Sequence, residues 1–372
     1  MSAFNYDPVI LFDATGMSQE EWEQKRSEAH GIGGSEAAAI LGKSKFATNL
    51  DIYRRKLGEP EQAPSETTKF MYEMGHRMEP MVAKAFVIRN PEWELVDDKK
   101  MYRDSRYPFM TANVDYRLRH KATGEPAVLE CKFVTPDSES VWREGAPEYY
   151  EIQVRHYLSV LNPGHDPNCR GFVAALWGNN PWQHGVDWEV RRDLDIEEKI
   201  ISAERAFWEC VEAKDPPKLK CGAIDALKAY LDNYVPLPTD PEKIVTGQEA
   251  REIIDLASRI ETLECQMANA NRQTARVRIE LEAANAEMII AAGRYGKIIC
   301  ESDEETVEVT ISVRDENVVD IEALRKQYPD VYSACAKVRV PLADLKSASA
   351  PAYRSCVKKM PSNKRVIRIR KI

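Results

Sequence analysis

The chain has 372 residues, of which 43% are apolar and 30% charged, with a formal net charge of −8. That length suits one large core plus an appended module, and the acidic balance excludes indiscriminate nucleic-acid binding over the whole surface while leaving room for a local basic groove. No apolar run approaches the roughly 20 residues that span a bilayer, the first residues lack a signal-peptide pattern, and the 8 cysteines are scattered without zinc-ligand or C-x-x-C spacing. The expectation is a cytoplasmic protein with reduced thiols and no membrane partner.

In chain order, Ser18 and Glu21 form a capping box that predicts a helix over residues 18–29, with Trp22 and Arg26 one turn apart. Residues 30–36 read as a glycine-rich turn with a serine cap, leading into a short helix at 37–41 stopped by Gly42. Backbone N–H groups at such a start can hold a phosphate; a plain capped helix is the equal alternative. Helices follow at 49–57 and 66–89, the second with Pro80 expected to bend it just after Glu79. A bend aims that acid at a site, whereas an unbent helix leaves it a solvated charge.

The centre of the chain is residues 111–132. A strand at 112–118, a turn at 121–124 and a second strand at 127–134 predict a hairpin. Alternation across a strand puts Glu130 and Lys132 on one face and Leu129, Cys131 and Phe133 on the other. Asp115, on the preceding strand, can then lie beside Glu130. Two hard oxygen donors next to an amine suit Mg²⁺ or Mn²⁺ and a water nucleophile. Three other Glu-x-Lys pairs, at 23/25, 197/199 and 212/214, fall in helical patterns where residues two apart diverge around the axis. A structural surface pair is the plain alternative for Glu130 and Lys132.

Beyond the hairpin, residues 148–161 form a helix on which Gln153 and Tyr157 share a face, followed by strands at 170–177 and 187–192 and an amphipathic helix at 196–214. This order predicts an α/β domain with a mixed sheet. The proline-containing stretch 215–246 reads as a linker around one short helical piece. Residues 248–292 lack Gly and Pro and keep a 3–4 apolar spacing through Ile253, Leu256, Ile260, Leu263 and Met267; they predict a coiled-coil-like helix about 65 Å long. The tail is expected to hold strands near 297–300 and 305–313, a helix at 320–336 and a closing strand at 366–371. Residues 357–372 contain 7 Lys or Arg and no acid, which reads either as a solvated basic terminus or as a DNA-backbone contact through Lys364, Arg365, Arg368 and Arg370.

The ordered set Gly33-Gly34-Ser35-Glu36, Gly75-His76-Arg77-Met78-Glu79, Asn113-Val114-Asp115, Glu130-Cys131-Lys132 and Gln153-Val154-Arg155-His156-Tyr157 resembles the YqaJ-like viral recombinase family, related to lambda exonuclease within the PD-(D/E)xK nucleases. The resemblance covers about residues 20–215, and the long helix with a basic β module also looks like a C-terminal extension common in that family. It implies a restriction-endonuclease-like core with a central mixed β-sheet flanked by helices. The chain then divides into a nuclease domain at 1–215, a linker at 216–246 and a C-terminal module at 247–372.

The same resemblance assigns roles. Asp115, Glu130 and the Cys131 carbonyl would ligate Mg²⁺ or Mn²⁺, two ions per site, with Glu79 completing the acidic cluster. Lys132 would orient or help deprotonate the attacking water, Gln153 would support the site with Tyr157 beside it, and Ser35 assisted by Arg26 would receive a 5′-phosphate. Val114 stands where the family name has proline, and the Arg26–Ser35 spacing is longer than in lambda exonuclease. The implied activity is 5′-to-3′ digestion of linear double-stranded DNA, leaving 3′ overhangs for phage-type recombination in a bacterial cytoplasm. Implied partners are DNA ends, a ring-like trimer of this chain and a single-strand annealing protein. A structure-specific or restriction-like endonuclease on the same core is the alternative, followed by a non-catalytic DNA-binding scaffold.

Overall fold

The computed structural model describes residues 4–60, 63, 65–96, 98–235, 244–292, 294, 296–301, 306–335 and 342–371. It forms two units, Met1–Thr239 and Asp240–Ile372. Helices of the first unit are α1 (Gln19–Glu28), α2 (Gly34–Ile40), α3 (Asn49–Lys56), α4 (Glu66–Arg89), α5 (Glu139–Glu144), α6 (Glu148–Leu161), α7 (Leu194–Ala213) and α8 (Ile224–Tyr234). Its strands are β1 (Val9–Asp13), β2 (Ile32–Gly33), β3 (Trp93–Val96), β4 (Lys100–Arg103), β5 (Met110–Ala112), β6 (Tyr116–His120), β7 (Pro126–Phe133), β8 (Arg170–Leu176) and β9 (Gly185–Arg191).

Five strands make a mixed sheet in the order β3-β6-β7-β8-β9, and four make a second in the order β1-β4-β5-β2. In the larger sheet β6 and β7 are antiparallel, whereas β7 and β8 are parallel and pair Glu130 with Val173 and Lys132 with Ala175. Parallel neighbours need a crossover, and α6 lies within it. Both faces of β7 are covered. Leu129 and Cys131 pack with Val82, Ala83 and Phe86 of α4, while Val128 packs with Val154, Tyr157 and Leu158 of α6. Each large side chain buried this way contributes about 1.5–3 kcal/mol. This is the α/β core expected from the sequence: a central mixed sheet with a helix on each face. A strand covered on both sides should be apolar throughout, so Glu130, only 1% exposed, is the anomaly that marks the site.

The hairpin differs from expectation in one respect. Residues 112–118 do not form one strand: β5 ends at Ala112 in the smaller sheet and β6 begins at Tyr116 in the larger. Asn113, Val114 and Asp115 are the link between sheets. Freed from the ladder, the Asp115 carboxylate turns to accept the Cys131 backbone N–H at 2.7 Å. The helix over 66–89 runs on through Pro80 as α4.

His156 of α6 and Glu204 of α7 are both fully buried, with Nδ1 2.8 Å from a carboxylate oxygen and Nε2 2.9 Å from the Thr111 carbonyl. A carbonyl only accepts, so Nε2 donates, and a second proton lies between Nδ1 and the carboxylate. Burial alone would lower the imidazole, but Glu204 outweighs it and raises the pKa above the ordinary 6.5; burial raises Glu204 as well. The folded state therefore keeps a proton that the unfolded chain releases. This stabilisation is complete below about pH 6.5 and is lost as the pH climbs through the raised folded value, at about 1.4 kcal/mol per pH unit. Thermal unfolding followed from pH 6 to 9 should show a midpoint that falls with pH, with a flatter profile in the double variant His156→Leu/Glu204→Leu. An equally steep profile in both proteins would refute this.

In the second unit, α9 (Gly247–Ala292) is one 46-residue helix whose Ile253, Leu256, Ile260, Leu263 and Met267 are exposed. Strands β10 (Lys297–Glu301), β11 (Thr306–Val319) and β12 (Val357–Lys371) form an antiparallel sheet. Helices α10 (Ile321–Gln327), α11 (Pro329–Cys335), α12 (Leu342–Ala348) and α13 (Ala350–Cys356) gather Leu324, Leu345, Ala352 and Cys356 into a small core. The single helix expected at 320–336 is thus two. Tyr328, the residue before Pro329, leaves the helical region (φ −138°, ψ 63°), as a pre-proline position favours. Lys364, Arg365, Arg368 and Arg370 fall on β12; their side chains lie outside the described residues.

Candidate active site

A cleft of about 740 Å³ opens in the first unit, and Arg26, Ser35, Glu79, Asp115, Glu130, Lys132, Gln153 and Tyr157 all line it. These residues come from α1, α2, α4, the β5–β6 link, β7 and α6, so Arg26 and five motifs spread over more than a hundred positions converge on one cavity.

At its floor, Glu130 pairs through Oε1 with the Lys132 ammonium and accepts a hydrogen bond from Gln153 Nε2 at 2.7 Å. The second Gln153 amide proton goes to the Tyr157 hydroxyl oxygen at 2.9 Å. Glu130 Oε2 is buried and has no hydrogen-bond partner. A buried, unpartnered carboxylate oxygen is costly unless something cationic or protic meets it. Burial drives the Asp115 carboxyl well above the usual carboxylate range, and the charges of Glu130 and Glu79 add to it; burial likewise raises Glu130, against the opposing pull of Lys132. Burial would lower Lys132, yet Glu130 and Asp115 overcome it and hold the ammonium firmly protonated. The Lys132 ammonium also lies 4.9 Å from the centre of the Tyr150 ring.

Two neighbouring acids, Glu130 buried and Asp115 half-buried, with one oxygen unpartnered, fit a divalent cation: hard oxygen donors match Mg²⁺ or Mn²⁺, and a cation would relieve their mutual repulsion. Among the described residues, no group of three or more His, Cys, Asp or Glu side chains is gathered at metal-binding distance. Glu79 lies in the cleft wall but is engaged at 3.0 Å with His76 Nδ1. The side-chain donors in place are therefore Asp115 and Glu130.

Ser35 and Arg26 stand at the exposed side of the cleft, and the Arg26 guanidinium lies 5.1 Å from the centre of the Trp22 ring. Behind Ser35 the helix start is partly occupied by the chain itself. The Gly33 N–H donates to Glu36 Oε2 at 2.9 Å, and that buried carboxylate is paired with Lys56 at 2.7 Å. Burial would raise Glu36, but Lys56 and Arg55 hold it below the ordinary range. This ion pair escapes sequence reasoning because its partners lie 20 positions apart; the only signal is that Glu36 stands at the third position after the Gly33 cap. Gly34 has a clear reason to be glycine. A Cβ there would sit 2.5 Å from the Tyr157 ring, so the start of α2, which carries Ser35, packs directly on the residue that braces Gln153.

The family model for the YqaJ-like viral recombinase domain matches residues 21–163. The uncharacterized protein YqaJ of Bacillus subtilis (strain 168) is 34% identical over 200 residues, covering 54% of this chain and 58% of that protein. The chain thus spans less than two thirds of that relative's length. Among solved structures, the alkaline exonuclease LHK-Exo of Laribacter hongkongensis aligns over 57% of this chain and 98% of its own, at 15% identity and a TM-score of 0.42. A phage-related exonuclease from Haemophilus somnus 129PT aligns over 50% and 96%, at 12% identity and a TM-score of 0.35. The match at 21–163 contains the whole of the cleft's motif set, from Arg26 to Tyr157, so the residues that build the cleft lie within the stretch that is similar to the YqaJ-like viral recombinase domain.

Proposed function

We propose that this chain is a metal-dependent deoxyribonuclease that digests one strand of linear double-stranded DNA from its 5′ end, leaving a 3′ single strand for phage-type recombination. The observation that carries the reading is the Asp115–Glu130 pair, Glu130 buried and Asp115 half-buried, with its unpartnered oxygen and adjacent Lys132, in a cleft that Ser35 and Arg26 also line. Asp115 and Glu130, with the Cys131 carbonyl, would hold the cation, and Glu79 would extend the acidic wall. When bound, Mg²⁺ or Mn²⁺ supplies Lewis-acid neutralisation of charge on the scissile phosphate.

The remaining chemistry belongs to the chain. Lys132, kept protonated by its two acid neighbours, offers a fixed positive charge to the charge that develops on the phosphate oxygens. Gln153 holds Glu130 in one rotamer and is itself held by Tyr157, so the catalytic carboxylate is set before substrate arrives. Ser35 offers a hydroxyl and Arg26 a forked cation, a combination suited to a terminal phosphate. On this reading the partner is a DNA end, and a ring of three chains with a single-strand annealing protein would complete the recombination unit.

Ser35→Ala should slow digestion of 5′-phosphorylated ends about tenfold, the effect of losing one hydrogen bond to a charged group, and should slow 5′-hydroxyl ends less. Rates on matched duplexes carrying each end test this; equal slowing would remove Ser35 from the phosphate pocket. The exonuclease assignment is tested on covalently closed circular DNA, which should stay intact, whereas nicking of that circle would favour the endonuclease alternative.

A further inference from the structure

The segment between α2 and α3 carries Phe46, 64% exposed, on a loop that is firmly held. Gly42 turns it at a φ of +72°, the Lys43 and Ser44 N–H groups donate to the Ala38 carbonyl at 2.7 and 3.1 Å, and the Phe46 N–H donates to Ser44 Oγ at 3.1 Å. The strap at 218–222 clamps it from outside: Asn49 exchanges hydrogen bonds with Lys218 and Lys220 at 2.8 and 2.7 Å. Gly222 lies so close that a Cβ there would sit 2.5 Å from the Ser44 carbonyl. The phenyl ring is therefore presented to water on a rigid mount.

From that ring an aromatic path leads back to the catalytic lysine. Phe46 meets Tyr149 edge-on at 5.5 Å, and Tyr149 meets Tyr150 at 4.5 Å; Tyr150 stacks on Trp142 at 5.5 Å and carries the Lys132 ammonium on its face. Lys45 lies along the outer part of the path, 5.0 Å from the Phe46 ring centre and 5.5 Å from that of Tyr149. Lys43 beside it is paired with Glu148 at 3.1 Å. An exposed aromatic on a fixed loop with an ammonium alongside is the combination that holds unpaired nucleobases: any base offers a π-face to the ring, and the lysine meets the phosphate next to it. A duplex keeps its bases stacked on each other and has only phosphates to offer such a surface.

We propose that Phe46, Tyr149 and Lys45 form a stacking step for single-stranded DNA, joined to Lys132 through two ring–ring contacts and the Tyr150–ammonium contact. The strand it would steady during digestion depends on the nuclease reading; the binding itself does not. The test uses the full chain with chelator present and a twelve-nucleotide oligothymidylate as the probe. In Phe46→Trp the oligonucleotide should quench indole fluorescence saturably, beyond any quenching of the 7 native tryptophans seen in the wild type. Phe46→Ala should bind it about 5- to 100-fold more weakly than the wild type, with a melting temperature lowered by no more than a few degrees, since the ring is mostly exposed and gives up its edge contact with Tyr149. Unquenched fluorescence in F46W, or unchanged affinity in F46A, overturns the stacking step. Digestion of linear duplex by the wild type, run in parallel with Mg²⁺, separates the two ideas. Quenching without digestion upholds the stacking step and brings down the nuclease reading, and digestion with unchanged F46A affinity does the reverse.

Discussion

Asp115→Asn is expected to lower cleavage of linear duplex DNA on the order of 10³-fold while leaving the metal-free protein at least as stable as the wild type. Asparagine keeps an oxygen that can accept the Cys131 N–H, now bonded at 2.7 Å, so the link between the two sheets need not move. What it removes is a charge that burial, Glu130 and Glu79 all disfavour. The same negative charge that burdens the fold is the one a divalent cation requires, so activity and stability should move in opposite directions. Single-turnover rates with Mg²⁺, and thermal unfolding with chelator, measure the two effects on one sample. A rate within tenfold of wild type, or a variant several degrees less stable, would contradict this account of Asp115.

Lys132→Ala should cost about 10²- to 10³-fold in cleavage and, unlike the aspartate variant, should also destabilise the metal-free fold. Glu130 is almost wholly inaccessible and Lys132 is its ion-pair partner. Removing the partner of a buried charge typically costs 3–5 kcal/mol; about 2–3 kcal/mol is expected here, because Gln153 still donates to Glu130 and the carboxylate can take up a proton. Duplex binding with chelator should persist, since the Ser35 and Arg26 side of the cleft is untouched. Full activity of the variant on a 5′-phosphorylated duplex would sink the assignment of Lys132.

Much of this site was legible in the sequence because its logic is local. Glu130 and Lys132 stand two apart in a strand-forming run, so alternation alone puts them on one face, and Gln153 and Tyr157 stand four apart on a helix. Two of the three decoy pairs were legible for the same reason: Glu23 and Lys25 lie on α1, and Glu197 and Lys199 on α7, whereas Glu212 is on α7 but Lys214 is the left-handed cap just past its end. Long-range contacts were not legible. The buried Glu36–Lys56 pair joins the ends of two separate helices, and the Lys132–Tyr150 contact joins β7 to α6 across a crossover. Residues 112–118 carry the composition of a single strand, yet the chain changes sheets at Asn113–Asp115 because β5 and β6 serve different neighbours. Short strands such as β3 and β4 lack a long enough alternation to be recognised. In the tail, Pro329 was a visible stop signal, and the helix breaks there.

Cation-dependent digestion from the 5′ end is measured on a linear duplex labelled in separate preparations at its 5′ and its 3′ ends. With Mg²⁺, the 5′ label should be released early as small product while the 3′-labelled strand survives as single-stranded DNA, and excess chelator should stop both. Release of the 3′ label first would refute digestion from the 5′ end, and digestion that continues in chelator would refute the cation requirement.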